Sequence, residues 1–193
     1  MQKKAGASEI ILEAVSQSPT QSEPKLSLTL YQALPKADKM ETIIQKCVEL
    51  GVHEIVPVQM KRCVVKLDCK KEEAKRKRWQ AISESAAKQA GRGLIPDIHP
   101  LMTYKEALLY ASDKEHILVP FEHAENMQAT RDALSAVKPG EQVAIFIGPG
   151  FEDEEIAQAE NCGAQAITLG RRILRTETAG MAVLAMLGYV LEE

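Results

Sequence analysis

The residues best suited to chemistry stand late in the chain, in Arg171-Arg172-Ile173-Leu174-Arg175-Thr176-Glu177-Thr178. Three arginines offer planar, permanently charged donors that grip carboxylates and phosphates or steady a developing anion. Glu177 offers a carboxylate that either accepts a proton or caps a helix, and both roles stay open. A plain solvated charge run is the competing reading. Against it, Ile173 and Leu174 interrupt the arginines, and Thr176-Glu177-Thr178 has the composition of a helix start.

A second group lies just upstream. The apolar run Val143–Ile147 finishes in Gly148-Pro149-Gly150, and Ala166-Ile167-Thr168-Leu169 finishes in Gly170. In open α/β sheets ligands sit beyond the carboxyl ends of strands, so two such ends opened by glycine bring a small ligand to bare backbone. Gly148-Pro149-Gly150 is neither a P-loop nor a dinucleotide fingerprint, and an ordinary glycine turn remains its alternative. Glu152, Asp153, Glu154 and Glu155 fill the first turn of the following helix and already satisfy its dipole. A phosphate there would meet like charge, which disfavours a phosphate-binding domain. A neutral or cationic ligand would not, and S-adenosylmethionine carries both a sulfonium and an ammonium. A further arginine, Arg92, stands between Gly91 and Gly93 and is expected to reach a ligand rather than pack.

Elements of alternating type must position these groups. Leu26–Leu34 alternates as a strand. Asp38 and Glu41 have capping-box spacing, ahead of Met40, Ile43, Ile44, Cys47 and Val48 at helical intervals and Gly51 as the stop. Glu54–Val58 is the next strand, with Arg62–Lys66 as a short extended piece. This β-α-β opening implies a parallel sheet. A long helix follows over residues 70–90, and its basic half holds Lys75, Arg76 and Arg78. That face attracts a polyanion or is simply solvated, with Trp79 as its packing anchor. Thr103 and Glu106 predict a capped helix to Ala111, residues 116–121 a buried strand, and residues 122–137 a loop with a short helix. The last helix is apolar nearly all round (Met181, Val183, Leu184, Met186, Leu187, Val190, Leu191), which suits a core position or an oligomer interface. Glu9–Val15 reads as a single strand and residues 16–24 as a polar linker.

The totals narrow the class. The 193 residues carry a net charge of −3, with 45% hydrophobic, 26% charged and 4% aromatic residues. This is one ordinary α/β domain with an aliphatic core, or a domain plus a fragment. The charge is uneven: residues 61–92 hold eleven Lys/Arg against four Asp/Glu, and residues 122–160 two against nine. One face therefore draws a polyanion while another repels it. Four cysteines without zinc spacing predict reduced thiols and no metal, and no run approaches membrane-spanning length. The cytoplasm is the expected location.

Four stretches are similar to the RsmE methyltransferases of ribosomal RNA. They are Lys36–Gly51, Ala86–Arg92, the strand ending Ile147-Gly148-Pro149, and Leu169–Ala179 with its Ile-Leu-Arg-Thr-Glu-Thr-Ala core. The resemblance covers roughly residues 26–193, with residues 1–25 expected to be a linker or the remnant of an amino-terminal PUA-like domain. It implies a SPOUT-type, mostly parallel sheet with a carboxyl-terminal trefoil knot, and a homodimer. It also implies methyl transfer from S-adenosylmethionine to N3 of a uridine in small-subunit ribosomal RNA. The cofactor would lie against Ile147, Gly148, Pro149, Gly150, Leu169, Gly170, Ile173, Leu174 and Thr176. Arg175, Glu177 and Arg92 would serve catalysis, and Lys75, Arg76, Arg78, Arg92 and Arg172 would hold RNA. Two local departures stand out. The family's G-P-E-G-G-F is shortened here to Gly148-Pro149-Gly150-Phe151, and Leu94 stands where a second arginine is usual. A non-catalytic RNA-binding protein, degenerate through the shortened loop, is the alternative function.

Overall fold

The computed structural model describes residues 3–5, 10–13, 15–16, 22–124 and 126–191. In chain order the elements are β1 (Lys3–Ala5), β2 (Ile10–Leu12), β3 (Ser27–Ala33), α1 (Lys39–Glu49), β4 (Glu54–Gln59) and α2 (Cys69–Gln89). Then come β5 (Asp97–Ile98), β6 (Met102–Thr103), α3 (Tyr104–Ala111), β7 (His116–Pro120) and α4 (Met127–Ala136). The chain ends with β8 (Gln142–Ile147), α5 (Asp153–Asn161), β9 (Ala164–Ile167) and α6 (Thr176–Leu191).

β1 and β2 form an antiparallel pair of their own, so the expected single strand over Glu9–Val15 is instead half of a two-stranded ribbon, and Val15 lies beyond it. Seven strands make the main sheet in the order β5-β4-β3-β8-β7-β9, with β6 also on β4, and every pairing is parallel. Both central strands, β3 and β8, are almost wholly buried; β8 accordingly reads as a continuous apolar run, whereas β3 alternates and buries Thr29 and Gln32 beside its leucines.

Right-handed crossovers decide the layers. Connections β3-α1-β4, β4-α2-β5 and β7-α4-β8 run one way along the sheet and put α1, α2 and α4 on one face. Those through α3 and α5 run the other way and put these two helices on the opposite face. Tyr104 Oη of α3 donates to the Glu155 carbonyl of α5 at 2.9 Å. The few aromatics are concentrated under these two helices: Tyr31 stacks on Phe146 at 4.3 Å, and Tyr104 meets both Phe146 (6.0 Å) and Phe151 (6.3 Å).

Several local expectations need correction. Asp38 makes no side-chain cap to α1, because it lies at φ −90°, ψ 15° and not in the extended conformation that aims a carboxylate at the helix. Its partner Glu41 instead pairs with Arg78 of α2 at 2.9 Å. Residues 62–66 form no strand. The two-residue strands β5 and β6 were too short to show a period. By contrast, the Thr103–Glu106 capping box is complete.

Candidate active site

Three strand ends, β7, β8 and β9, open into one cleft of about 1000 Å³. Each is fixed from behind. Phe121 N–H donates to the Ile167 carbonyl at 2.9 Å, tying the end of β7 to that of β9. Buried Thr130 of α4 accepts from Thr168 N–H at 2.9 Å and donates to its carbonyl at 3.2 Å, anchoring the loop that leads to the arginines. All nine residues expected against a cofactor line this cleft: Ile147, Gly148, Pro149, Gly150, Leu169, Gly170, Ile173, Leu174 and Thr176. Arg172, Arg175 and Glu177 line it too.

The Gly148–Phe151 loop is closed by its own phenylalanine. Phe151 is only 5% exposed, and a β-carbon built on Gly148 would lie 3.0 Å from its ring and 3.2 Å from Met60 Sδ. Gly150 has φ +105°, and a β-carbon there would sit 2.9 Å from Nη1 of Arg62. A side chain at Gly148 would press on the Phe151 ring, whereas at Gly150 the positive φ is the constraint and the Arg62 tip can shift. The acidic turn that follows is neutralised in part: Lys61 Nζ holds Glu152 at 2.5 Å and Arg62 Nε lies 3.8 Å from it.

At the other wall the Arg175 carbonyl accepts from Thr178 and Ala179 N–H, both at 2.9 Å, and so starts α6. Its backbone is held while its side chain stays exposed and makes no ion pair among the described residues. Glu177 is engaged. Lys39 of α1 donates to it at 2.8 Å and Thr176 Oγ1 at 3.3 Å, and the Lys39 hydrogen bond foremost holds its carboxyl below the usual range. A carboxylate so held is a weak proton acceptor at neutral pH.

Arg92 is elsewhere, and the expectation that it reaches a ligand is overturned. Its side chain is 3% exposed. Nη1 donates to the carbonyls of Val48 (3.0 Å) and Val52 (2.6 Å), and Nη2 to Glu23 at 2.6 Å. Val48 is in the last turn of α1 and its carbonyl also accepts from Gly51 N–H at 3.1 Å, Val52 lies just past the helix, and the five-donor guanidinium serves both carbonyls. Glu23 also accepts from the N–H groups of Gly93 (2.8 Å) and Leu94 (3.1 Å). Lys75, Arg76 and Arg78 lie along α2 outside the cleft lining: Lys75 lies over the Trp79 ring, and Trp79 itself is buried. Sequence reasoning missed Lys39, Pro120, Phe121, Glu122 and Met127 as cleft residues. The rule that sites gather at strand ends pointed to Pro120–Glu122, but nothing local marked Lys39.

The arrangement suits a ligand of nucleoside size, gripped by backbone at the glycines, with Glu122 and Glu177 offering acid and Arg171, Arg172 and Arg175 offering cations. A family model described as an RNA methyltransferase domain matches residues 21–188. The ribosomal RNA small subunit methyltransferase E of Bacillus subtilis (strain 168) is 35% identical over 180 residues, covering 90% of this chain and 70% of that protein. Its counterpart in Mesomycoplasma hyopneumoniae (strain 232) is 41% identical over 165 residues, covering 84% and 70%. The chain belongs to the ribosomal RNA small subunit methyltransferase E family. A solved member from Neisseria gonorrhoeae, bound to S-adenosyl methionine, superposes with a TM-score of 0.75 at 33% identity, covering 94% of this chain and 71% of that one.

Proposed function

We propose that this chain is an S-adenosylmethionine-dependent methyltransferase acting on N3 of a uridine in small-subunit ribosomal RNA. One observation carries the reading: the residues of both glycine turns and of the arginine segment converge on a single cleft. The cleft fits the methyl donor. Gly148 and Gly150 leave it backbone-lined, its volume of about 1000 Å³ is within the range of small-molecule sites, and its carboxylates face a ligand with two positive centres. S-adenosylmethionine supplies an electrophilic methyl group on sulfur, ready for displacement by a nitrogen nucleophile.

The chain's own residues do the rest. Backbone groups of residues 147–150 and 169–174 and the side of Thr176 hold and orient the donor. The N3 proton of uracil must first leave to solvent, which places negative charge on the ring, and methylation at N3 then discharges it. Arg175, fixed at the start of α6 with a free guanidinium, stabilises that charge. Glu177, bound by Lys39, positions the first turn of α6 and is a poor base. Arg172 and the α2 residues Lys75, Arg76 and Arg78 contact RNA phosphates.

Two architectural readings accompany this one. The chain leaves edge strand β9 and returns across the ends of β7 and β8 to place α6 against β3, β8 and α1, and this crossing is where we place the trefoil knot. Helix α6 also turns an apolar face outward, with Tyr189 90% and Val190 42% exposed, which supports a homodimer. No described helix is long and apolar enough to cross a membrane, and the cytoplasm, where ribosomes assemble, is the proposed location.

The test is transfer of labelled methyl to small ribosomal subunits, read as N3-methyluridine by mass spectrometry of the digested RNA. We expect label in wild type and a loss of about 10²-fold in Arg175→Ala, the scale of one missing transition-state donor. Cofactor binding without any transfer would instead assign a non-catalytic RNA-binding role.

A further inference from the structure

A second hollow, of about 180 Å³, adjoins the cleft and shares Lys39, Pro149 and Thr176 with it. It lies beyond the carboxyl ends of β3 and β8. These neighbouring strands connect to opposite faces of the sheet, β3 through α1 and β8 through α5. Such a topological switch point leaves a crevice between the two departing connections, and ligands of open α/β sheets bind there. The reaction cleft at β7, β8 and β9 is displaced from this point, so the switch-point crevice itself has no role yet.

Its walls are cationic. Lys36, Lys39 and Arg62 surround it, with Val64 and Pro149 as apolar sides. Lys36 is exposed and makes no ion pair among the described residues, and Val64 is 69% exposed although apolar. Arg62 reaches over Gly150, and its distance of 3.8 Å to Glu152 is long for a hydrogen bond, so the guanidinium keeps donors to spare. Among the described residues no carboxylate lines the hollow itself, although Glu177 holds Lys39 at 2.8 Å and Glu152 lies 3.8 Å from Arg62. A basic track also leads to it: Arg78 of α2 is held by Glu41 in the first turn of α1, the helix that begins beside Lys36 and Lys39.

We propose that this hollow is a subsite for one phosphate-bearing nucleotide of the RNA strand, next to the base that is methylated. Lys36 and Arg62 grip the phosphate, Lys39 joins them from the rim, and Val64 and Pro149 pack on the sugar. A volume equal to about six liquid waters suits a single sugar phosphate. The subsite explains how a strand running along α2 hands one base to the cleft. It rests on the methyltransferase reading for the identity of its ligand as RNA.

The test uses the full chain with uridine, uridine 5′-monophosphate and a uridine-containing single-stranded oligoribonucleotide, in wild type and Lys36→Ala. Lys36 is exposed and makes no ion pair among the described residues, so the variant should fold, and unchanged S-adenosylmethionine affinity checks that it does. Wild type should bind the monophosphate more tightly than uridine, and Lys36→Ala should lose about tenfold toward it and nothing toward uridine. The slope of log affinity against log salt for the oligonucleotide should fall by about 0.7, one single-strand phosphate contact. Equal binding of nucleoside and nucleotide in wild type, or an unchanged salt slope in the variant, overturns the subsite. The two readings fail separately. Phosphate-dependent binding without methyl transfer keeps the subsite and removes the enzyme, whereas transfer indifferent to Lys36 in KM and salt slope does the reverse.

Discussion

Lys39 and Glu177, 138 residues apart in sequence, meet at 2.8 Å on the rim of the candidate cleft. The pair joins the start of α1 to the start of α6, and Lys39 also lines the neighbouring hollow. Because Lys39 holds the Glu177 carboxyl below its usual range, Glu177 stays ionised down to more acidic pH than a free glutamate, and any contribution it makes is lost only as pH falls through that lowered value. A proton-transfer role predicts that Glu177→Gln abolishes turnover and removes a limb of the pH–rate profile. A positioning role predicts a loss of no more than about tenfold in kcat with the profile intact, and this is the expected outcome.

Arg92 should matter for stability and not for chemistry. Arg92→Ala removes the ion-pair partner of Glu23 and the donor to the Val52 carbonyl, and leaves the Val48 carbonyl with Gly51 N–H alone, at a cost of about 2–3 kcal/mol in urea unfolding. Affinity for S-adenosylmethionine should be unchanged in the folded fraction. An unchanged unfolding midpoint with lost turnover would return Arg92 to the active site.

Two glycines with positive φ separate strain from fit. Gly150→Ala and Gly140→Ala share the backbone penalty of about 1 kcal/mol, but open space surrounds Gly140, whereas a β-carbon at Gly150 meets Arg62 at 2.9 Å. Calorimetry should show cofactor affinity lowered about tenfold or more by the first and untouched by the second, with similar losses of stability. Equal cofactor affinities in both would mean that the Gly150 backbone does not contact the donor.

Far from the cleft, Glu54 at the start of β4 makes hydrogen bonds with His99 (2.7 Å) and Thr29 (2.7 Å). Burial alone would raise its pKa, but these partners outweigh it and bring it from 4.5 to about 2. A depressed carboxylate stabilises the fold above the unfolded value and loses that contribution as pH falls from about 4.5 toward 2. Acid titration should therefore show on the order of 2–3 kcal/mol of stability disappearing across that window. Glu54→Gln should flatten the curve there.

The sheet and most helices were legible because their signals are local and repeated. The buried runs of β3, β7 and β8 and the Thr103–Glu106 box each carry their own pattern. The cleft followed from a rule about strand ends applied to Gly148, Gly150 and Gly170, and the resemblance sharpened it. What stayed hidden depends on distant partners. Arg92 flanked by glycines looks free until the Val48 and Val52 carbonyls and the Glu23 carboxylate are seen beside it, and Glu41 looks like a cap until Arg78 arrives from the next helix. Lys39 has the same chemistry as every other lysine in the sequence. Only the packing of α1 against α6 sets it apart.

Helix α6 opens beside the arginine segment and ends at Leu191, so one rod of sixteen residues borders the candidate cleft at one end and exposes Tyr189 to solvent at the other. If a second copy covers Tyr189 and Val190, the rate per molecule becomes a function of how much protein is present. Dilution would then act as an inhibitor, and progress curves started from concentrated and from dilute stocks would diverge before converging. Supply of the chain itself would set the pace of the modification, with no effector needed.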